Sequence, residues 1–272
     1  MTDAEQAVPV LQLRDATLAF DERVLWEGLN LDVQPGDFIT VIGANGSGKS
    51  SLLKAILGMR KLTAGEIRLG GQPVRRGDSR IGYIPQQRLI PRGTPMRGRD
   101  LVSMGIDGHR WGMRITGRPA ARARVAAAIE SVGASSFAAQ PVGMLSGGEQ
   151  QRLRTAQALV SDPVLLLCDE PLSSLDLNYQ QSVANLIAQQ CRDRGTPVLF
   201  VTHDINPVLP FTDRVLYLAA GRHLLGSPDE ILRSEVLSDL YQTPVEVTRV
   251  GDQVIVIGAP EHHEPHHLEV RS

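Results

Sequence analysis

Two short stretches put phosphate-gripping chemistry on this chain. Residues 43–50 read GANGSGKS, the pattern G-x-x-x-x-G-K-[ST], set between an apolar strand-like run and a helix-like one. Glycines let consecutive backbone N–H groups curl round an anion, the lysine adds a point charge, and the neighbouring hydroxyl can ligate Mg²⁺. Gly43, Ala44, Asn45, Gly46, Ser47, Gly48, Lys49 and Ser50, followed by Ser51, are therefore candidate nucleotide-binding residues. Lys49 is expected on the β and γ phosphates. Further on, VLLLCDE ends an apolar run in two carboxylates. Asp169 is expected to share Mg²⁺ with Ser50, and Glu170 to orient or deprotonate an attacking water, because phosphoryl transfer depends mainly on positioning and charge stabilisation.

The second stretch is LSGGEQQR, residues 145–152. Ser146 to Glu149 spells a capping box, which by itself explains a helix start at those two residues. It does not explain Gly147 and Gly148. Glycine costs roughly 1 kcal/mol relative to alanine inside a helix, less near an end, yet it lets a bulky anion approach the backbone. The pattern points to a second phosphate contact.

The elements that must hold these residues follow from periodicity. LQLRDATLAF and LNLDV alternate like strands on either side of a turn-like DERVLWEG, and DFITVIG reads as a short buried strand. KSSLLKAILG spaces its apolar residues helically and stops at Gly58. RIGYIP, PVLLLCDE, PVLFVTHD and RVLYLAAG are further strands, and the helical stretches between the later ones predict an α/β fold with a parallel sheet behind a β-rich opening lobe. Residues from about 88 to 160 break the rhythm with an Arg- and Ala-rich helical segment, expected to form an inserted subdomain within a domain spanning 1–245. Residues 246–272 are expected to add one strand, GDQVIVIG, and a Pro- and His-rich tail that does not pack.

Composition sets the outer limits. The chain has 272 residues, 42% of them hydrophobic, enough for one large domain with a subdomain. A formal charge of −2 gives no reason for wholesale attraction to nucleic acid or anionic lipid. Cys168 and Cys191 form no CxxC pair, which favours reduced thiols in a cytoplasmic setting. The first residues lack a signal-peptide core, and no run approaches the roughly 20 apolar residues that span a bilayer. A soluble chain is expected, with any membrane role reached through a partner.

LSGGEQQR before VLLLCDEP, with SSLD after it and VTHD later, resembles the ATP-binding cassette ATPase family over roughly residues 10–240. The resemblance implies a P-loop α/β core that binds ATP and Mg²⁺, and two copies meeting head to tail. Each ATP then lies between one copy's P-loop and the other's signature helix, so that the two anion grips serve different ATP molecules. It implies that Ser146 and Gly148, with Gly147 and Glu149 beside them, meet the γ-phosphate bound to the facing copy, and that Asp176 communicates across the interface. By the same resemblance Gln86 senses Mg²⁺ and water, with Gln87 as the neighbouring alternative, His203 contacts the γ-phosphate, and Phe20 stacks on adenine, with Trp26 as competitor.

Transport is implied by the inserted segment, where RLIPRGTPMRGRDLVSMG would form the groove that in relatives receives a short helix from a membrane-embedded subunit. Residues 75–124 carry twelve Arg against three Asp, a solvated face or a docking surface for an acidic partner element. The stretch from INPVLPFTDRVLYL to LYQTPVEV is most similar to ATPases of zinc/manganese-type importers, which implies permease subunits, an extracytoplasmic solute-binding protein acting indirectly, no nucleic acid, and a place at the cytoplasmic face of the membrane. An iron siderophore or another small solute is the alternative cargo, and a translation or DNA-repair switch the alternative class. EHHEPHH places His262, His263, His266 and His267 close enough for weak Zn²⁺ binding, with Glu261 or Glu264 as a further ligand.

Overall fold

A computed structural model describes residues 8–21, 23–86, 89–107, 118–173 and 175–258. The chain opens with β1 (Leu11–Phe20), β2 (Arg23–Val33), β3 (Phe38–Ile42), α1 (Lys49–Ile56), β4 (Ala64–Leu69), β5 (Gln72–Pro73) and β6 (Ile81–Ile84). Helices α2 (Gly98–Asp107), α3 (Arg118–Ser131) and α4 (Gly147–Leu159) follow. Then come β7 (Leu165–Asp169), α5 (Leu177–Arg194), β8 (Val198–Val201), β9 (Arg214–Ala219) and β10 (Arg222–Gly226). The last elements are α6 (Pro228–Ile231), α7 (Ser234–Tyr241), β11 (Glu246–Val250) and β12 (Gln253–Ile257).

The central sheet has the order β10-β9-β3-β8-β7-β6, parallel except for the β10 edge. Its strands read as unbroken apolar runs because both faces are covered. Phe38, Ile42, Leu166, Cys168, Val198 and Phe200 face the core under α5, while Ile39, Val41, Leu165, Leu167, Leu199 and Val201 face a second core built with α1. That second core is closed from outside by an antiparallel sheet, β2-β1-β4-β5. Helix α1 is thus clamped between two sheets, and Leu52, Leu53 and Ile56 are fully buried. Burying three such side chains contributes about 1.5–3 kcal/mol each, which anchors the helix that starts at Lys49.

Helices α2, α3 and α4 share a third apolar cluster, with Leu101, Val102, Ile129, Val132 and Leu153 at its centre. They leave the sheet after β6 and return to it at β7, and these two strands pair directly, Ile81 with Leu165. The residues of the signature stretch are therefore carried by a helix anchored in a cluster of its own.

Two expectations need correction. DERVLWEG is not a turn between strands: β2 begins at Arg23 and pairs with β1 through Phe20–Arg23 and Leu18–Trp26. Gly28, at φ 63, interrupts the alternation that would have shown this strand. The C-terminal region holds two strands rather than one. β11 and β12 form an antiparallel hairpin, Val250 opposite Gln253, turned at Gly251 with φ 61.

Candidate functional site

The loop between β3 and α1 folds back on itself because its glycines permit it. Gly43 has φ 146, and a Cβ there would run into Leu218 O; Gly48 has φ 98, and a Cβ there would lie 2.9 Å from Trp26 Nε1. Lys49, only 6% exposed, donates from Nζ to Gly43 O at 2.7 Å and to Ala44 O at 3.0 Å. Burial lowers its pKa, and the Glu170 and Asp169 carboxylates oppose that shift. Ser47 Oγ is buried with no hydrogen-bond partner among the described residues. A cradle lined by glycines, a half-dehydrated ammonium and an orphaned hydroxyl fits a phosphate group.

Asp169 closes the other side. It is the last residue of β7, 6% exposed, and accepts from Ser50 Oγ at 2.9 Å on Oδ1 and from Tyr83 OH at 3.1 Å on Oδ2. A buried carboxylate beside a hydroxyl, both hard oxygen donors, fits Mg²⁺. Tyr83 was not singled out from sequence. Its only signal is its place on β6, opposite Leu167 in the strand that ends at Asp169. Burial, with the Asp169 charge second, raises its pKa, which keeps the phenol a donor.

Glu170 follows in the left-handed region at φ 46, a conformation that costs a non-glycine residue on the order of 1–2 kcal/mol. Glu170 N donates to Val201 O at 2.9 Å, and its carbonyl accepts from Ser173 N and Oγ, which hold the turn. The side chain is where two distant elements converge. Gln86 Nε2, beyond β6, donates to Glu170 Oε2 at 3.2 Å, and His203 Nδ1, beyond β8, lies 3.7 Å from the same oxygen. His203 is 63% exposed, free to meet a ligand in front of Glu170. Gln87 lies outside the described residues.

Phe20, Arg23, Leu25, Asn45, Lys49 and Glu170 are among the residues lining a cavity of about 350 Å³ together with Gly46, Gly48, Ser50 and Ser51. Phe20 is half-exposed at its mouth, with the Arg60 guanidinium 4.1 Å over the ring. Trp26, the competitor, is fully buried under Gly48 and has no open ring face. Arg23, which sequence reading passed over as part of a turn, lines the cavity and donates from Nη2 to Gly46 O at 3.0 Å.

Among the described residues, Ser146, Gly148 and Asp176 do not line this cavity. Ser146 caps α4 in the expected box: its N and Oγ both donate to Glu149 Oε2 at 2.8 Å, and Glu149 N donates back to Ser146 Oγ at 3.3 Å. Gly148 has a reason that anion binding alone did not supply. A Cβ there would lie 2.8 Å from the Tyr179 ring, so any larger residue would have to displace that ring. Asp176 caps α5 by accepting from Tyr179 N at 3.1 Å, and thereby holds the residue that covers Gly148. Ser146 is exposed at the start of α4.

The family model described as ABC transporter matches residues 26–173. The zinc transport system ATP-binding protein TroB of Treponema pallidum is 38% identical over 220 residues, 80% of this chain and 81% of that one. The manganese transport system ATP-binding protein MntB of Halalkalibacterium halodurans is 30% identical over 249 residues, 92% of this chain and 98% of that one. Among solved structures, the dimeric post-hydrolysis state of the ATP-binding cassette MJ0796 bound to ADP and Pi matches with a TM-score of 0.67 at 27% identity, over 80% of this chain and 98% of that chain. With the phosphate cradle, the paired carboxylates and the signature helix in one fold, the chain belongs to the ABC transporter family, as an ATP-binding and ATP-hydrolysing subunit.

Proposed function

We propose that this chain drives import of a divalent transition metal, zinc or manganese, as a head-to-tail homodimer bound through permease subunits to the cytoplasmic face of the membrane. The observation that carries the chemistry is the convergence of Gln86 and His203 on Glu170 Oε2, beside Lys49 and Ser50. In this reading residues 1–245 form the ATPase domain, with 88–160 as its helical subdomain. Mg²⁺, when bound by Ser50 and Asp169, supplies charge stabilisation for the phosphates. Lys49 and the loop N–H groups hold the β and γ phosphates, and Phe20 offers the adenine a ring. Glu170 takes a proton from water, and Gln86 and His203 keep its carboxylate and that water aligned with the γ-phosphate. Ser146 and the start of α4 meet the γ-phosphate of the facing copy, so binding draws the two copies together and hydrolysis releases them.

A groove of about 510 Å³ lies next to this machinery, lined by Tyr83, Pro85, Ile90, Leu101, Gly105 and Arg154 among others. Ile90 N is tied to Gln150 Oε1 of α4 at 2.9 Å. A short permease helix seated there would touch both the Gln86 segment and the signature helix. Among the described residues no helix is long and apolar enough to cross a membrane. The cargo reading is supported by the zinc and manganese systems of TroB and MntB. In cells lacking the chain, the intact gene but not its Glu170→Gln form should restore uptake of radioactive zinc or manganese. Metal uptake that is normal without the chain, with siderophore or another solute uptake lost, would reassign the cargo.

The His-rich tail, with His262, His263, His266 and His267, lies outside the described residues, and among those described no three or more His, Cys, Asp and Glu side chains gather into a metal-holding group. We propose that the tail binds Zn²⁺ weakly and takes no part in hydrolysis. Truncation after Pro260 should leave basal ATP hydrolysis intact and remove a Zn²⁺-binding event measured by calorimetry near pH 7. That event should fade toward pH 5, because imidazole, with a pKa of about 6.5, must be neutral to ligate. Identical titrations of the full and truncated chains would leave the tail without a metal role.

A further inference from the structure

The loop after β8 carries two polar residues that the hydrolysis chemistry does not use, Asp204 and Asn206. They form a hydrogen-bonded series around His203. Thr202, buried, donates from Oγ1 to Asp204 O at 2.8 Å and accepts from Asp204 N at 3.2 Å. Asp204 Oδ1 accepts from Asn206 N at 3.0 Å and from Asn206 Nδ2 at 2.9 Å. The amide of Asn206 then reaches out of the loop. Its Nδ2 donates its other hydrogen to Val254 O at 3.0 Å, and its Oδ1 accepts from Val254 N at 2.8 Å.

An amide that pairs both polar groups of one strand residue does what a neighbouring strand would do. Asn206 thus extends the β11–β12 hairpin by one rung, into the loop that carries His203. The hairpin is held as firmly from its other side. Ser238 Oγ accepts from Val245 N at 2.9 Å and Ser234 Oγ accepts from Val247 N at 2.9 Å, so α7 is tied to β11 through main-chain groups. The loop around His203 therefore has its position set from the C-terminal end of the chain.

We propose that Asn206 is a positioning residue for ATP hydrolysis: through it the C-terminal hairpin holds the His203 loop in register with Glu170. The proposal rests on the role given to His203 above. Its test compares Asn206→Ala, His203→Ala and the double variant in the full chain, with Val254→Ala as control. Val254→Ala keeps both main-chain partners of Asn206 and removes only apolar packing.

Asn206→Ala should lower kcat on the order of tenfold to hundredfold, as displaced catalytic groups do. KM for ATP should stay within about twofold, because the phosphate cradle is untouched. Amide hydrogen exchange at 203–206 should quicken while that of α1 does not. In the His203→Ala background the substitution should cost nothing further, since groups that act as one unit do not add. Val254→Ala should lower Tm with kcat near the wild-type value. A full additional loss in the double variant, or kcat falling in both Asn206→Ala and Val254→Ala in step with lost stability, would overturn the proposal. Wild-type hydrolysis by His203→Ala alone would instead remove the site reading on which it stands.

Discussion

Glu170→Gln should bind ATP with an affinity within about twofold of the wild type and hydrolyse it about 10²- to 10⁴-fold more slowly, the range a positioned general base contributes. The substitution is close to isosteric, and the amide oxygen can still accept from Gln86 Nε2, which lies 3.2 Å from the carboxylate. Lys49, Ser50 and Asp169 keep their contacts, because Ser50 bonds Asp169 and not Glu170. What is lost is the ability to take a proton from water. Phosphate release under saturating ATP, set against calorimetric binding of ATP, separates the two effects. Hydrolysis within about threefold of the wild-type rate would take the base away from Glu170, since a base worth 10²-fold or more could not be removed so cheaply.

Ser146→Arg should retain ATP binding within about twofold and lose hydrolysis by about a hundredfold or more, the loss that removing a transition-state contact produces. The P-loop cavity contains no atom of Ser146, so nothing in the chain's own cradle changes. The exposed start of α4, by contrast, gains a bulky cation where the proposed second copy approaches. The substitution also breaks the capping box with Glu149, a loss of about 1 kcal/mol. Ser146→Ala makes the same capping loss without the bulk and separates the two causes. It should melt like Ser146→Arg yet hydrolyse ATP several times faster. Equal hydrolysis by the two variants would trace the defect to the lost hydroxyl, as cap or as phosphate contact, and not to the bulk.

The parts of the site legible in the sequence were those whose chemistry is local. The P-loop needs its glycines, Lys49 and Ser50 at fixed spacing, and the Asp169–Glu170 pair is announced by the apolar strand it ends. The capping box was legible for the same reason, since Ser146 and Glu149 lie within one turn. The packing of Gly148 against the Tyr179 ring was not, because that ring is brought up by a different helix. Tyr83 and Asn206 were missed likewise: their partners, Asp169 and Val254, are distant in sequence and met only by folding. Phe20 and Trp26 are both aromatics near one turn, and only burial separates them.

In the fold, the central parallel strands were legible as continuous apolar runs, whereas the antiparallel lobe was half seen. β4, AGEIRL, and β10, RHLLG, are short and interrupted by charge, and they exist as strands because β1 and β9 supply their ladders. The early part of β2 hid behind Arg23 and Gly28, and Arg23 was hidden with it although it lines the nucleotide cavity. Periodicity reports what a segment buries, and β4 and β10 bury few side chains.

The shared site is tested most directly by the mass of the Glu170→Gln chain in solution, by light scattering with and without ATP and Mg²⁺. ATP should convert a species of 29.6 kDa into one of twice that mass, because bound but unhydrolysed nucleotide holds each P-loop against the facing copy's Ser146. Adding Ser146→Arg to the same chain should leave ATP bound and the mass at the monomer value. Dimerisation of that double variant with ATP, or a Glu170→Gln chain that stays monomeric with ATP bound, would contradict a site completed by the second copy.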